Sequence, residues 1–254
     1  MKKILVLVMA LALICGMMVS CNNAQSLLEK ADAALEKEPY GITMKMSFEC
    51  DNEELNQVLS LMNIEIPTTV DGKNIAMDMS MDMMGYTFGT KVIVADMVMY
   101  YDMELMGQNI KMKATMDEEQ YQEFMAENNT QMMIKPEDFG ELTVETKDGK
   151  KYIVCDGISE EALKALNGMV AENLVGEGID GEATFVDVTY CVTLNNGKYE
   201  SMDMICVYSL TVAGVSCNVT FNLSAAYSYD NIAEITAPAD ADEYEELSFG
   251  DLMG

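Results

Sequence analysis

The 254-residue chain contains no His and no Trp, every one of its 15 basic residues is Lys, and Pro occurs only four times. Without imidazole it has neither the usual general base near neutral pH nor the commonest transition-metal ligand. Every Ser/His or Cys/His nucleophile arrangement is excluded as well. The 15 Lys stand against 43 Asp and Glu, a net charge of −28 with no Arg-based patch to offset it. Such a chain repels nucleic acid and anionic head groups. Carboxylates, hydroxyls and thiols are present, but no spacing assembles them into a catalytic site, so the sequence reads as that of a non-enzymatic protein without a cofactor.

The first residues have a grammar of their own. Lys2 and Lys3 precede an apolar run from Ile4 to Leu13, and Met18-Val19-Ser20 lies directly before Cys21. A charged start, an apolar stretch too short for a stable span and small residues ahead of a cysteine form a bacterial lipoprotein signal. Residues 1–20 are the expected signal peptide, and Cys21 the lipidated first residue of a single domain over 21–254. Loss of Lys2 and Lys3 would make the mature chain still more acidic. The expected location is the cell membrane, lipid-anchored on its extracytoplasmic face.

Besides Cys15 within the leader, the remaining cysteines are Cys50, Cys155, Cys191, Cys206 and Cys217. Their spacing matches neither a disulfide framework nor CxxC metal ligation, so no metal site is assigned. Alternation points Cys50, Cys206 and Cys217 to an apolar strand face, as small buried hydrophobes.

Three segments carry helix signals. Ser26 and Glu29 form a capping-box pair ahead of Leu27, Leu28, Ala31, Ala34 and Leu35, with Pro39 as the stop; Asp51 and Glu54 form another before Leu55, Val58, Leu59 and Met62. Ser159 is an N-cap before Leu163, Leu166 and Val170. A shorter helix is expected over about 117–128, with Tyr121, Phe124 and Met125 on one side. Most of the remainder alternates with period two, as half-buried antiparallel strands do. The runs are Ile42 to Phe48, Ile75 to Met83, Met97 to Leu105, Ile110 to Ala114, a hairpin about Asp148-Gly149, then Val186 to Leu194, Met202 to Val212 and Val215 to Tyr227. About ten strands and four helices are implied. Gly176, Gly178 and Gly181 satisfy G-x-G-x-x-G, but no strand precedes them and Glu177 and Asp180 would repel a phosphate; the segment reads as an acidic loop.

Methionine is distributed unevenly. Residues 73–116 hold eleven Met and one Leu, whereas the helical segments 24–37, 52–63 and 159–174 hold nine Leu and two Met. Met is a good helix former and a middling strand former, so propensity does not explain this sorting. Burying a Met gains roughly 1.5–3 kcal/mol, but fixing its torsions costs about 1.5–2 kcal/mol, against about 0.5–1 for Leu or Ile. A surface that must adapt to a variable guest keeps that freedom. Met44, Met46, Met77, Met79, Met81, Met99, Met103, Met202 and Met204 are therefore the expected lining of a hydrophobic cavity. A ligand-free, loosely packed core would show the same stripe. A third reading takes the Met-x-Met runs as Cu(I) or Ag(I) ligands. Against it, same-face neighbours on one strand stand about 6.6–6.8 Å apart.

The element order closes with Ile235-Thr236-Ala237-Pro238-Ala239-Asp240-Ala241-Asp242-Glu243-Tyr244. Helix, Met-rich antiparallel strands, covering helices, three long strands and this ending resemble the bacterial lipoprotein-carrier superfamily. Within it they are most similar to the lipid-binding cell-envelope lipoproteins of Gram-positive bacteria. The resemblance implies an α+β fold, a strongly curved, unclosed antiparallel half-barrel whose concave face is covered by helices. It also implies an acyl chain or lipid held between the two. A protein or peptide partner in the envelope is the alternative occupant that the same fold would admit.

Overall fold

The computed structural model describes residues 24–59, 63–83, 86–105, 108–129, 142–157, 159, 160, 163, 164, 167, 181–212 and 215–253. The expected signal peptide 1–20, Cys21, Leu166, Val170 and the acidic segment 176–180 lie outside them. Twelve strands form one sheet: β1 (Tyr40–Cys50), β2 (Ile64–Asp71), β3 (Asn74–Met83), β4 (Tyr86–Ala95), β5 (Val98–Leu105), β6 (Gln108–Thr115), β7 (Leu142–Lys147), β8 (Lys150–Asp156), β9 (Gly181–Asn195), β10 (Lys198–Val212), β11 (Val215–Ser228) and the two-residue β12 (Glu245–Glu246). The helices are α1 (24–35), α2 (Glu53–Leu59), α3 (Glu118–Asn129) and α4 (Phe249–Met253), with further helical residues at 160, 163, 164 and 167.

The strand order is β12-β6-β5-β4-β3-β2-β1-β11-β10-β9-β8-β7. Two antiparallel meanders therefore meet where β1 pairs with β11, and β7 and β12 are left as edges of an unclosed, strongly curved sheet. Only the β12–β6 contact is parallel. The fold is mostly sheet with few helices, α+β in class.

Local chemistry explains most of the turns. Asp148-Gly149 (φ 53° and 81°) and Asn196-Gly197 (φ 52° and 79°) are the positive-φ pairs that match strand twist in tight hairpins. The β4–β5 turn achieves the same geometry without glycine, with Asp96 at φ 53° and Met97 at φ 63°. Asn74 Oδ1 supports it by accepting a 3.2 Å bond from the Asp96 N–H. Met97 therefore belongs to the turn and not to the strand in which alternation would put it.

Two strands carry no clean alternation. β2 contains Pro67, which has no N–H to donate, and its ladder to β3 pairs Glu65 with Ser80 and resumes at Thr68 with Met77. In β4, Val92, Ile93 and Val94 are consecutive apolar residues because both sides of the strand are covered. Val94 is fully buried with Met99, Met116, Tyr121 and Phe124, while Ile93 packs with Ala95, Tyr100, Ile235 and Tyr244 on the other face.

The start of α1 differs from the capping reading: it is already helical at Ala24, which places Ser26 inside it. Asp51 lies two residues ahead of α2, and its Oδ1 and Oδ2 accept bonds from the backbone N–H (2.8 Å) and Nδ2 (3.1 Å) of Asn218. α3 does have a reciprocal box: the Gln120 N–H donates to Asp117 Oδ1 (2.9 Å) and the Asp117 N–H to Gln120 Oε1 (3.0 Å).

The largest core forms where Ala24, Leu28 and Ala31 of α1 meet Leu142, Ile153, Val188, Tyr190, Val192, Leu194, Met202 and Ala225. A second, around Val94 and Met99, is closed by Tyr121 and Phe124 of α3. Both lie on the same face of the sheet. On the opposite face, the segment after β11 lies across β4 and β5: Tyr244 meets Tyr100 edge-on at 5.4 Å, and Lys111 pairs with Asp240 and, at 3.4 Å, Glu243.

Candidate functional site

Register places the methionines together. Met202 pairs with Ala225, Ala225 with Met44, and Met44 with Ile66; one step on, Met204 pairs with Leu223, Leu223 with Met46, and Met46 with Ile64. Across the other meander, Met77 pairs with Val92, Val92 with Tyr101, and Tyr101 with Met112; Met79 pairs with Thr90, Thr90 with Met103, and Met103 with Ile110. Because directly paired residues project to the same side, eight of the nine expected methionines share one face. The Met81 side chain lies outside the described residues. Met112 and Tyr101 belong to the same wall and were not singled out from the sequence.

Burial divides this wall. Met99 (3% exposed) and Met202 (5%) are sealed within the α3 and α1 cores. Met44, Met46, Met77, Met79, Met103 and Met204 are half-buried. The wall therefore consists of a strip of partly exposed thioethers that adjoins two closed ends, with Met44 and Met204 packed against the α1 core.

Each closed end is fastened by a tyrosine. The Tyr199 hydroxyl donates to Asp32 Oδ1 at 2.6 Å, tying α1 to β10, and its ring stacks on Tyr227 at 5.2 Å. Burial, followed by the Asp32 bond, pushes the Tyr199 hydroxyl far above its ordinary range. Tyr190 and Tyr227 are pushed up mainly by burial. At the other end the Tyr121 hydroxyl donates to the Lys73 carbonyl at 2.8 Å, tying α3 to the β2–β3 turn.

The sheet also carries an open groove of about 900 Å³. Its lining follows two cross-strand rows, Ser80, Glu65, Lys45, Ser224 and Asp203, then Ser47, Asn222 and Ile205. Lys45 and Glu65 form an exposed 3.2 Å ion pair there. Ile64, Met46, Leu223 and Met204, the row between those two, line it as well, so the groove is mixed in character and includes two of the wall's thioethers.

None of the described cysteines Cys50, Cys191, Cys206 and Cys217 is in a disulfide. Cys155, Cys206 and Cys217 are buried, and burial pushes the Cys206 thiol up to about 11, so that side chain behaves as a small hydrophobe. Among the described residues no helix is long and apolar enough to cross a membrane. No protein-family model matches this sequence, and no curated protein matches it either.

Proposed function

We propose that this protein is a non-enzymatic lipoprotein, anchored by acylated Cys21 on the outer face of the cell membrane, that shelters an acyl chain or lipid against its methionine wall. The observation that supports this reading is the half-burial of Met44, Met46, Met77, Met79, Met103 and Met204 in one strip of one face. A solid core has no use for six flexible side chains left partly exposed, whereas a guest that varies in length does. In this reading the helices cover the concave side of a lipoprotein-carrier half-barrel and the guest lies between them and the strip. The net charge of −28 favours a neutral, zwitterionic or cationic guest. Native mass spectrometry with extraction into organic solvent tests it. Co-purified lipid or saturable binding of a fluorescent fatty acid supports the proposal, and an empty protein that ignores the probe overturns it. Cys21→Ala should release the protein from membranes into the medium, and unchanged partition would refute the anchor.

The open groove around Lys45, Glu65 and Asp203, with the ion pair between its first two residues, favours a second reading, a module that recognises an envelope protein or peptide. Tight co-purification of a polypeptide with no extractable lipid would select it.

A further inference from the structure

Cys50 and Cys217 are 167 positions apart in sequence, yet they meet at one end of the β1–β11 seam. Cys50 pairs with Val219, and Cys217 lies two residues earlier on β11, on the same side of the strand. The sulfurs of both and a carboxylate oxygen of Asp51 lie within 4.8 Å of one another, the one such three-ligand group among the described residues.

We propose that Cys50, Cys217 and Asp51 form a binding site for a borderline-soft divalent cation of the zinc class, with water as the fourth ligand. Two thiolates bound tetrahedrally at about 2.3 Å from zinc stand about 3.8 Å apart, with a carboxylate oxygen at about 2.0–2.2 Å from the metal. The three ligand atoms, all within 4.8 Å of one another, are close enough to share one ion. The surrounding bonds hold them there. The Asn52 N–H donates to Cys50 Sγ at 3.4 Å, and the Cys50 N–H is held by Asn56 Oδ1 at 2.8 Å. Asn218 grips both carboxylate oxygens of Asp51 from its backbone N–H and Nδ2, the outer-shell support that orients a metal ligand. Accessibility is graded to suit: Cys217 is buried, Cys50 half-buried and Asp51 exposed, so an ion and its water enter from the Asp51 side.

Place in the fold gives the site a purpose. Among the described strands β1 and β11 are the link between the two meanders, and a cation held by both clamps the end of that seam. The clamp is independent of what the methionine strip binds.

The full chain, purified with a non-thiol reductant, is loaded with Zn2+ or Co2+, desalted and assayed for metal. The expected result is one ion per chain, a thiolate-to-cobalt charge-transfer band and a higher melting temperature with Zn2+. Cys217→Ser should abolish the band, Asp51→Asn should weaken affinity at least about tenfold, and Cys206→Ser, at an unrelated buried thiol, should change neither. If Cys217→Ser fails to fold, Cys50→Ser together with the exposed Asp51→Asn decides the matter. Failure to retain metal would overturn the proposal. So would a band unaffected by the Asp51 and Cys50 variants, or thiol titration showing Cys50 and Cys217 joined as a disulfide in the isolated protein.

Discussion

Replacing Met77 and Met79 together by Ala separates a guest-binding strip from an inert core. Each substitution removes three heavy atoms, worth about 2.4 kcal/mol if fully desolvated at about 0.8 kcal/mol per buried methylene equivalent. Both side chains are half-buried in the free protein, so roughly half of that, about 1 kcal/mol each, is available only when a guest covers them. The pair should therefore weaken binding of a fluorescent fatty acid by about 2 kcal/mol, or about 30-fold, at 1.4 kcal/mol per factor of ten. The same substitutions should lower stability by about 1–2 kcal/mol, a melting shift of about 2–8 °C for a chain of this size. The contrast is Met99, 3% exposed and enclosed by Tyr121 and Phe124. Met99→Ala should cost about 2–5 kcal/mol of stability, while Met99→Leu leaves probe binding unchanged. Fluorescence titration and thermal melts on the three variants give the comparison. If the Met77/Met79 variant binds the probe as tightly as the native chain, the strip is not the guest surface; if its stability falls as far as that of Met99→Ala, the strip is core.

Leu28→Ala, at a side chain 2% exposed between α1 and the β8–β10 sheet, should cost about 2–5 kcal/mol; a denaturation midpoint shifted by less than about 1 kcal/mol would show that α1 is not docked there. Tyr121→Phe removes the 2.8 Å bond to the Lys73 carbonyl and should cost about 1 kcal/mol, read as faster hydrogen exchange in α3 with β3 unaffected. Lys111 holds the Asp240 carboxyl below its ordinary value of 3.8, first through its hydrogen bond and then by charge. A depressed carboxylate stabilises above its unfolded pKa and loses that contribution as pH falls through the lower folded value. The segment 235–246 should therefore loosen first on acidification below about pH 4, and Lys111→Ala should remove that acid-sensitive step from a proteolysis profile.

Much of this fold is legible along the chain because antiparallel strands with one wetter face advertise themselves by alternation. β1, β3, β5, β6 and the three long C-terminal strands follow that rule, and Asp148-Gly149 and Asn196-Gly197 mark their turns. The failures have local causes. β4 reads as a continuous apolar run because Ile235 and Tyr244 cover its second face, a fact stored some 140 residues away. β2 is masked by Pro67, and the Asp96-Met97 turn by the absence of glycine. The methionine strip was legible as a stripe; its division into sealed and half-exposed members was not, since that depends on where α1 and α3 dock.

The order of residues alone determined the acidic, imidazole-free chemistry and the common face of the strand thioethers, because charge and period two are properties of neighbouring residues. Only the tertiary structure decided that two meanders join through β1 and β11, that Lys45, Glu65, Ser224 and Asp203 come together in one open groove, and that Cys50, Asp51 and Cys217 converge. Those outcomes depend on pairings between residues more than 150 positions apart, and no local pattern encodes which strand an edge will choose.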